Sequence, residues 1–110
     1  MKLRIIYMGT PDFAVPSLEL LINSGFDVAA VVTAPDKPSG RGLKLTYSAV
    51  KEAALKHNIP VLQPEKLKDQ TFITELESYQ ANLFIVVAFR MLPEVIWQMP
   101  SIGTFNLHGS

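Results

Sequence analysis

Short apolar runs alternate along the chain with segments whose apolar residues recur every three or four positions. Continuous runs rich in Val, Ile, Leu and Phe are typical of strands buried in a parallel sheet, whereas the wider spacing predicts amphipathic helices. The predicted strands are residues 3–8, 28–33, 59–62 and 83–88, and a last strand that follows Gly103. The run at 83–88 is the most apolar, which predicts a central strand covered on both faces.

Helical spacing fills the segments between these strands. A first helix is predicted to begin at Asp12, whose carboxylate can cap it, to place Phe13 on its apolar face, and to end at Gly25. Further helices are predicted over 47–57 and 69–79, and a short one over 95–97. Trp97 and Met99 are interpreted as packing residues, and His57 as a carboxyl-terminal helix residue rather than a ligand.

Strands that alternate with helices predict an α/β fold: an open, mostly parallel, Rossmann-like sheet with helices on both faces. The simplest strand order, numbered along the chain, is 3-2-1-4-5, and Pro60 places the third strand at an edge. This order reverses direction between strands 1 and 4, where ligands of such sheets bind. We therefore expect the strand ends after Met8, Ala88 and His108 to meet at one crevice.

Composition narrows the class of protein. Of the 110 residues, 48% are hydrophobic, which is enough for a buried core. Ten basic and ten acidic residues cancel, so any contact with nucleic acid must be local.

The chain has no cysteine, which excludes disulfides and thiolate metal sites, and we predict no metal. The first apolar run ends at Gly9, too early for a signal peptide or a membrane span, and predicts a cytoplasmic protein.

Two nucleotide-binding motifs are incomplete in this chain. The turn after the first strand, residues 9–14, lacks the three glycines with which a dinucleotide-binding fold approaches a pyrophosphate. The glycine-containing residues 39–42 are not followed by the Lys and Ser or Thr of a phosphate-binding P-loop. These departures argue against an NAD enzyme and against a P-loop enzyme.

Residues 34–46 contain prolines and glycines throughout and predict a long loop. Between residues 35 and 51, four basic residues accompany one acidic residue, a local surplus of three positive charges; the basic residues are Lys37, Arg41, Lys44 and Lys51. The segment is either a solvated surface loop or a flexible clamp on a polyanion, in which glycines let Arg41 reach a phosphate.

Asn106 and His108 are separated by one residue in the predicted last strand, so they project to the same face. An amide and an imidazole on one face are able to stabilise an oxyanion and transfer a proton. The alternative is that both are structural polar residues at a strand end.

Three separated segments resemble one family. They are the residues Gly-Thr-Pro-Asp-Phe-Ala-Val-Pro at 9–16, Asp-Lys-Pro-Ser-Gly-Arg-Gly at 36–42 and Asn-Leu-His-Gly-Ser at 106–110. The Asn-x-His pattern marks the folate-dependent formyltransferases, and the first two segments are similar to their tRNA branch, the methionyl-tRNA formyltransferases. The resemblance covers the whole chain.

This resemblance implies transfer of a formyl group from 10-formyltetrahydrofolate to the methionine amino group of initiator methionyl-tRNA in translation initiation. The implied catalytic residues are Asn106 and His108, which hold the oxyanion, His108 also moving a proton. The residues implied to contact the reduced folate are Ser110, Arg90, Met91 and Leu92. Those implied to contact the tRNA are Arg41, Lys37 and Lys44. No membrane partner is implied, and the complete enzyme is expected to be a monomer.

The resemblance also implies that residues 1–110 are the amino-terminal part of a catalytic domain, truncated after the fifth strand. The carboxy-terminal tRNA-binding domain and an aspartate that orients the histidine are expected outside this chain. The 110-residue piece alone is then expected to be inactive.

One segment departs from the family pattern. Residues 88–93 are one position shorter than the family's usual loop and lack its glycine. Two alternatives therefore remain: a sibling folate-dependent formyltransferase or formyltetrahydrofolate hydrolase, and a non-catalytic α/β nucleotide-binding module. Binding of a reduced folate distinguishes the second from the enzymes.

Overall fold

The computed structural model describes residues 2–39 and 44–107, which form one main sheet and four α-helices. The sheet has five parallel strands in the order β5-β2-β1-β6-β7. Their bounds are β1 Arg4–Gly9, β2 Asp27–Val32, β5 Val61–Leu62, β6 Leu83–Val87 and β7 Gly103–Leu107. The predicted fold class and the predicted order 3-2-1-4-5 are confirmed, and the third predicted strand lies at an edge, as Pro60 indicated.

Helices cover both faces of this sheet. The helices are α1 Val15–Asn23, α2 Ala49–Lys56, α3 Gln70–Ser78 and α4 Glu94–Trp97. Leu18 of α1 and Val50 of α2 pack with Tyr7 of β1 in one buried cluster. Phe72 of α3 and Ile96 of α4 belong to a second cluster on the opposite face. Because β1 alternates its side chains between these clusters, its buried residues tie the two layers together.

The first helix begins later than its sequence pattern predicted. Residues Asp12–Ala14 form a turn of 3-10 helix, and α1 begins at Val15 without a side-chain cap from Asp12. The Tyr7 hydroxyl donates a hydrogen bond of 2.6 Å to the Ala14 carbonyl and fixes this turn. Burial raises the pKa of Tyr7 to about 12, so this phenol stays protonated over the physiological range. Phe13, predicted to face the core, is 62% exposed because the tighter turn directs it outward.

The predicted loop at 34–46 contains a small antiparallel hairpin, which corrects the sequence interpretation. Strand β3 (Lys37–Ser39) pairs with β4 (Lys44–Thr46) in the register Lys37 with Thr46 and Ser39 with Lys44. Prolines and glycines predict irregular backbone. Both strands of a two-stranded sheet are edge strands, however, and an edge strand tolerates a proline such as Pro38. Residues 40–43 of this segment lie outside the described residues.

The helices of the described part are short. The longest have nine residues, and none is long and apolar enough to cross a membrane.

Gly9, the last residue of β1, lies against the backbone of the neighbouring strand. A Cβ at this position would stand 2.8 Å from the Val87 carbonyl oxygen and 3.2 Å from the Ala14 Cβ. Because the first neighbour is a backbone atom within the sheet, it cannot move without disturbing the β1–β6 pairing. Glycine is therefore required here by close packing and not by an unusual φ angle.

We expect Gly9→Ala to lower the free energy of unfolding by about 1–3 kcal/mol, the usual effect of overpacking a well-packed site. Urea denaturation followed by circular dichroism measures this loss. Gly25→Ala is the matched control, since its Cβ would meet nothing within 4 Å and only its φ of +87° opposes the change. Gly9→Ala should broaden or shift the amide resonances of Val87 and Ala14, whereas Gly25→Ala should leave them unchanged. Unperturbed resonances in both variants would contradict the close approach.

Candidate active site

The carboxyl ends of three strands meet at one edge of the sheet. Gly9 of β1 pairs with Val87 of β6, and Val87 in turn pairs with Leu107 of β7. The chain order reverses here, because β1 has β2 on one side and β6 on the other. This is the position at which open α/β sheets bind ligands, and the sequence predicted it.

Asn106 lines a cavity at this edge. Pairing of Asn106 with Val86 places the two side chains on the same face of the sheet. An open cavity of about 600 Å³ lies above them, bounded by the segment that follows β6, residues 88–93, which we call the pocket loop. Its other lining residues are Phe89, Arg90, Met91, Leu92, Trp97 and Thr104. The structure thus brings four predicted site residues to one cavity: Asn106, Arg90, Met91 and Leu92. His108 and Ser110 lie outside the described residues.

Trp97 has a different environment from the one predicted. Ile96 occupies the buried position of the short helix α4, and Trp97, one residue further around the helix, is 46% exposed and faces the cavity. The Thr104 hydroxyl donates to the Trp97 carbonyl over 2.8 Å, which joins the end of α4 to β7. Trp97 was interpreted as a packing residue, but it is not among the partly buried side chains that pack against the core, whereas Met99 is one of them.

Arg90 anchors the pocket loop to the segment after β5. Its guanidinium donates to the Pro64 carbonyl over 2.7 Å and to the Glu65 carbonyl over 3.0 Å. The same side chain lies over the Phe89 ring, 5.0 Å from its centroid. Arg90 was expected to contact a ligand, and in this structure its charge is directed to protein carbonyls.

A second cavity lies along the pocket loop. It measures about 810 Å³, shares Arg90, Met91 and Leu92 with the first, and is otherwise lined by residues 66–68 and 93–95. Met91 is 94% exposed, so its thioether side chain is available to an apolar ligand surface. Lys66 and Lys68 give this lining a basic character.

Ala88 begins the pocket loop with a left-handed backbone conformation. Its φ is +52°, a value that residues with a Cβ adopt at a cost of about 1–2 kcal/mol. The pocket loop contains no glycine, so the turn out of β6 falls on an alanine. Strained backbone of this kind is common at binding sites.

The hairpin places two predicted contact residues together. In the β3–β4 register, Ser39 lies opposite Lys44, and Lys37 is two positions before Ser39, so Lys37 and Lys44 project from the same face. Both side chains are exposed. Arg41 lies outside the described residues.

The base of the hairpin is held by a charged network that sequence reasoning missed. Lys51 of α2 donates to the Asp36 carboxylate over 2.8 Å and to the Gln63 Oε1 over 3.0 Å. It also lies over the Tyr47 ring, 3.8 Å from the centroid. The ammonium group of Lys51, and then the amide of Gln63, hold the pKa of Asp36 below its usual value.

This network changes how the local charge surplus is distributed. Asp36 and Lys51 neutralise each other, so the surplus of three counted from the sequence belongs to Lys37, Arg41 and Lys44. The signal that could have revealed the network is Gln63, a polar residue directly after a strand, at the carboxyl edge of the sheet.

His57 is the residue that caps the carboxyl end of α2, as the sequence interpretation held. Its Nε2 lies 2.7 Å from the Glu19 carboxylate of α1, so it joins two helices. Among residues 2–39 and 44–107, no cluster of three or more His, Asp or Glu side chains is arranged to hold a metal ion.

The fold and the cavity define an α/β protein with a ligand site at the strand-end edge of an open parallel sheet, and the comparison with known families gives its family. The model of the formyl transferase family matches residues 1–110, so the chain belongs to that family. Methionyl-tRNA formyltransferases from two bacteria are similar to it: that of Bacteroides fragilis is 63% identical over 108 residues and that of Flavobacterium johnsoniae 62% identical over 109.

These alignments cover 98% and 99% of the chain but 33% and 35% of the relatives. The chain therefore spans about a third of the length of the curated relatives it matches. A phosphoribosylglycinamide formyltransferase from Streptococcus pneumoniae TIGR4 shares the fold, with a TM-score of 0.63 at 16% identity, over 96% of this chain and 56% of that one.

Substitution of Ala88 tests the strain at the pocket loop. We expect Ala88→Gly to raise the free energy of unfolding by up to about 1 kcal/mol, because glycine adopts positive φ without a Cβ penalty. Ala34→Gly is the matched control, since Ala34 has no positive φ and glycine there adds only chain freedom. Thermal denaturation should therefore show opposite signs for the two variants. Equal losses would mean that Ala88 is not strained.

Proposed function

We propose that this chain forms the formyl-transferring part of an enzyme that moves a formyl group from 10-formyltetrahydrofolate to the amino group of initiator methionyl-tRNA. The observation that carries the proposal is Asn106, which lines the cavity at the strand-end edge together with the pocket loop. Membership of the formyl transferase family and the named activity of relatives above 60% identity support the same reaction.

The reaction needs an oxyanion site and a proton carrier. The methionine amine attacks the formyl carbon, a carbon–nitrogen bond forms, and the carbonyl oxygen becomes an oxyanion. The Asn106 amide and protonated His108 donate hydrogen bonds to that oxygen. When the intermediate collapses, the bond to N10 of the folate breaks, and the proton lost by the amine reaches N10 through His108.

The folate donor fits the chemistry of the two cavities. A flat heterocycle that stacks by its faces and hydrogen-bonds by its edges suits a cavity with aromatic and aliphatic walls and a few polar groups. We assign the pterin ring to the 600 Å³ cavity, against Met91 and Leu92, and keep Ser110 as a folate contact on the family resemblance. Arg90 then contributes mainly by holding the pocket loop, because its guanidinium is engaged with carbonyl groups.

The hairpin supplies the contacts to tRNA in this proposal. Lys37 and Lys44 share one face, and both are suited to phosphates, as is Arg41. A tRNA substrate implies a cytoplasmic enzyme. In this proposal the complete protein also contains the rest of the catalytic domain and a further tRNA-binding domain, within the length of the relatives that this chain does not match.

Grafting provides an assay for this chain. We expect an enzyme in which this chain replaces the matching segment of the Bacteroides fragilis relative to formylate methionyl-tRNA. In that grafted enzyme His108→Ala should lower kcat/KM about 100-fold or more, the usual loss of a general acid or base. Asn106→Ala should have a loss of similar size, because one oxyanion donor is removed.

His57→Ala is the matched control, since His57 caps a helix and bonds to Glu19. The specific activity of the His57→Ala variant, measured on the folded fraction, should stay within a few-fold of that of the grafted enzyme, because substitutions away from the site have small effects. A grafted enzyme that hydrolyses 10-formyltetrahydrofolate without forming formyl-methionine would instead favour the hydrolase alternative. Binding of folate without either reaction would favour the non-catalytic module.

Arg41→Ala in the grafted enzyme should weaken use of methionyl-tRNA by about 1–3 kcal/mol, as expected for one charge-assisted contact, and leave the KM for folate unchanged. Arg41→Lys should restore only part of this loss, because an ammonium group keeps the charge without the planar fork. If the partner is a phosphate, the salt dependence of tRNA binding should also become shallower by about one unit of slope.

Lys56→Ala is the control for charge alone, since Lys56 lies on α2 with its side chain 71% exposed. Identical tRNA kinetics for Arg41→Ala and Lys56→Ala across salt concentrations would show that the hairpin is a solvated surface without a specific tRNA contact.

A further inference from the structure

Residues 63–65, which follow β5, contact both loops that the proposed reaction uses. The side chain of Gln63 bonds to the base of the hairpin, and the carbonyl groups of Pro64 and Glu65 accept hydrogen bonds from the pocket loop. We call these consecutive residues the support segment. Because β5 is paired with β2 in the main sheet, the support segment is fixed at its start.

On the hairpin side, Gln63 uses both ends of its amide. Its Nε2 donates to the Ala34 carbonyl over 3.1 Å and to the Asp36 carboxylate over 2.7 Å. Its Oε1 accepts from Lys51 over 3.0 Å. The side chains of Lys51 and Asp36 are only 12% and 19% exposed, so these charge-assisted bonds are stronger than those of a surface pair. Asp36 directly precedes β3, so the network fixes the point at which the hairpin begins.

On the other side, Arg90 holds the pocket loop by two hydrogen bonds, one from each terminal nitrogen of its guanidinium. Both acceptors are backbone carbonyls of adjacent residues, Pro64 and Glu65, so the planar guanidinium defines the orientation of the loop as well as its distance. The strained turn at Ala88 lies two residues before this anchor. The pocket loop is therefore constrained at its start by β6 and in its middle by the support segment.

We propose that the support segment positions the hairpin and the pocket loop relative to each other. The nucleic acid and the folate are then held at the strand-end crevice with their reacting groups at the correct distance. This inference rests on the proposed function for the identity of the two ligands. Gln63, Pro64, Glu65 and Arg90 act as positioning residues in it, since they work through the elements they hold. A misplacement of about 1 Å between two bound reactants is enough to lower a transfer rate substantially.

Loosening the support segment should release both elements at once. Pro64→Gly removes the φ restraint in the middle of the segment while it keeps the carbonyl that Arg90 uses. We expect amide hydrogen exchange of this chain to become faster in β3, β4 and the pocket loop, by about two- to fivefold, with β1 and β6 unchanged. Pro60→Gly is the matched control, because Pro60 lies at the opposite end of β5 and should affect neither element.

Substitutions on either side of the segment should have separate kinetic effects in the grafted enzyme. Gln63→Glu places a carboxylate beside Asp36 and should raise the KM for methionyl-tRNA about three- to tenfold, with the KM for folate unchanged. Arg90→Met keeps the aliphatic stem but removes the donors, and should raise the KM for folate by a similar factor of about three to ten, with the KM for tRNA unchanged. Pro64→Gly should raise both the KM for methionyl-tRNA and the KM for folate.

A rescue variant separates positioning from simple damage to the fold. The double variant Gln63→Glu with Asp36→Asn exchanges the carboxylate and the amide between the two positions. The amide at position 36 then donates to the carboxylate at position 63, and Lys51 keeps an anionic partner. This double variant should bring the KM for tRNA part of the way back to the parent value, since the Ala34 carbonyl still lacks the donor that Gln63 supplied. Faster exchange throughout the sheet in Pro64→Gly, or faster exchange in one element alone, would overturn the proposal.

The two proposals fail in different ways. A grafted enzyme without formyl transfer would refute the proposed function, while the exchange experiment on this chain would still support or refute the support segment. An active grafted enzyme whose KM values are unchanged in Gln63→Glu, Arg90→Met and Pro64→Gly would refute the support segment and leave the proposed function intact.

Discussion

The site depends on the close approach of β1 and β6, whose backbones leave no room for a side chain at Gly9. The Cβ that Gly9 lacks would stand 2.8 Å from the Val87 carbonyl oxygen. This pairing places β6 beside β1 on the side opposite β2, and thereby creates the reversal of strand order at which the crevice opens. It also sets the position of Ala88 and of everything that the pocket loop carries. Backbone pairing in the parallel sheet thus determines where the binding edge lies, whichever polar residues occupy it.

Much of this architecture was readable from the sequence because it depends on periodicity. Apolar runs and helical spacing identified the strands of the main sheet and its α-helices, and the alternation of these elements gave the strand order. Asn106 was placed correctly at the strand-end edge for the same reason, since side chains in a strand alternate between faces. Element ends were less predictable: the tight turn at Asp12–Ala14 is fixed by a tertiary hydrogen bond from Tyr7, which local pattern does not reveal.

The features that sequence reasoning missed arise from contacts between distant residues. The hairpin at β3 and β4 looks like a loop because its composition is rich in glycine and proline, yet Asp36, Lys51 and Gln63 fix its base. Lys51 counted as part of a basic surface when only neighbours in sequence were considered. Its partner and its low exposure appear only when α2 and the end of β5 are brought together. Trp97 was misplaced because a four-residue helix offers too little periodicity to separate its buried face from its exposed one.

The pocket loop shows how a tight turn without glycine is accommodated physically. Without a glycine, the turn after β6 places Ala88 at φ +52°, which costs about 1–2 kcal/mol. Two residues later, the exposed Arg90 side chain makes two hydrogen bonds to carbonyls, and because water competes for them each contributes roughly 1 kcal/mol or less. These hydrogen bonds offset part of the strain at Ala88. A loop without glycine therefore keeps a defined position beside Asn106 through the two carbonyl contacts of Arg90.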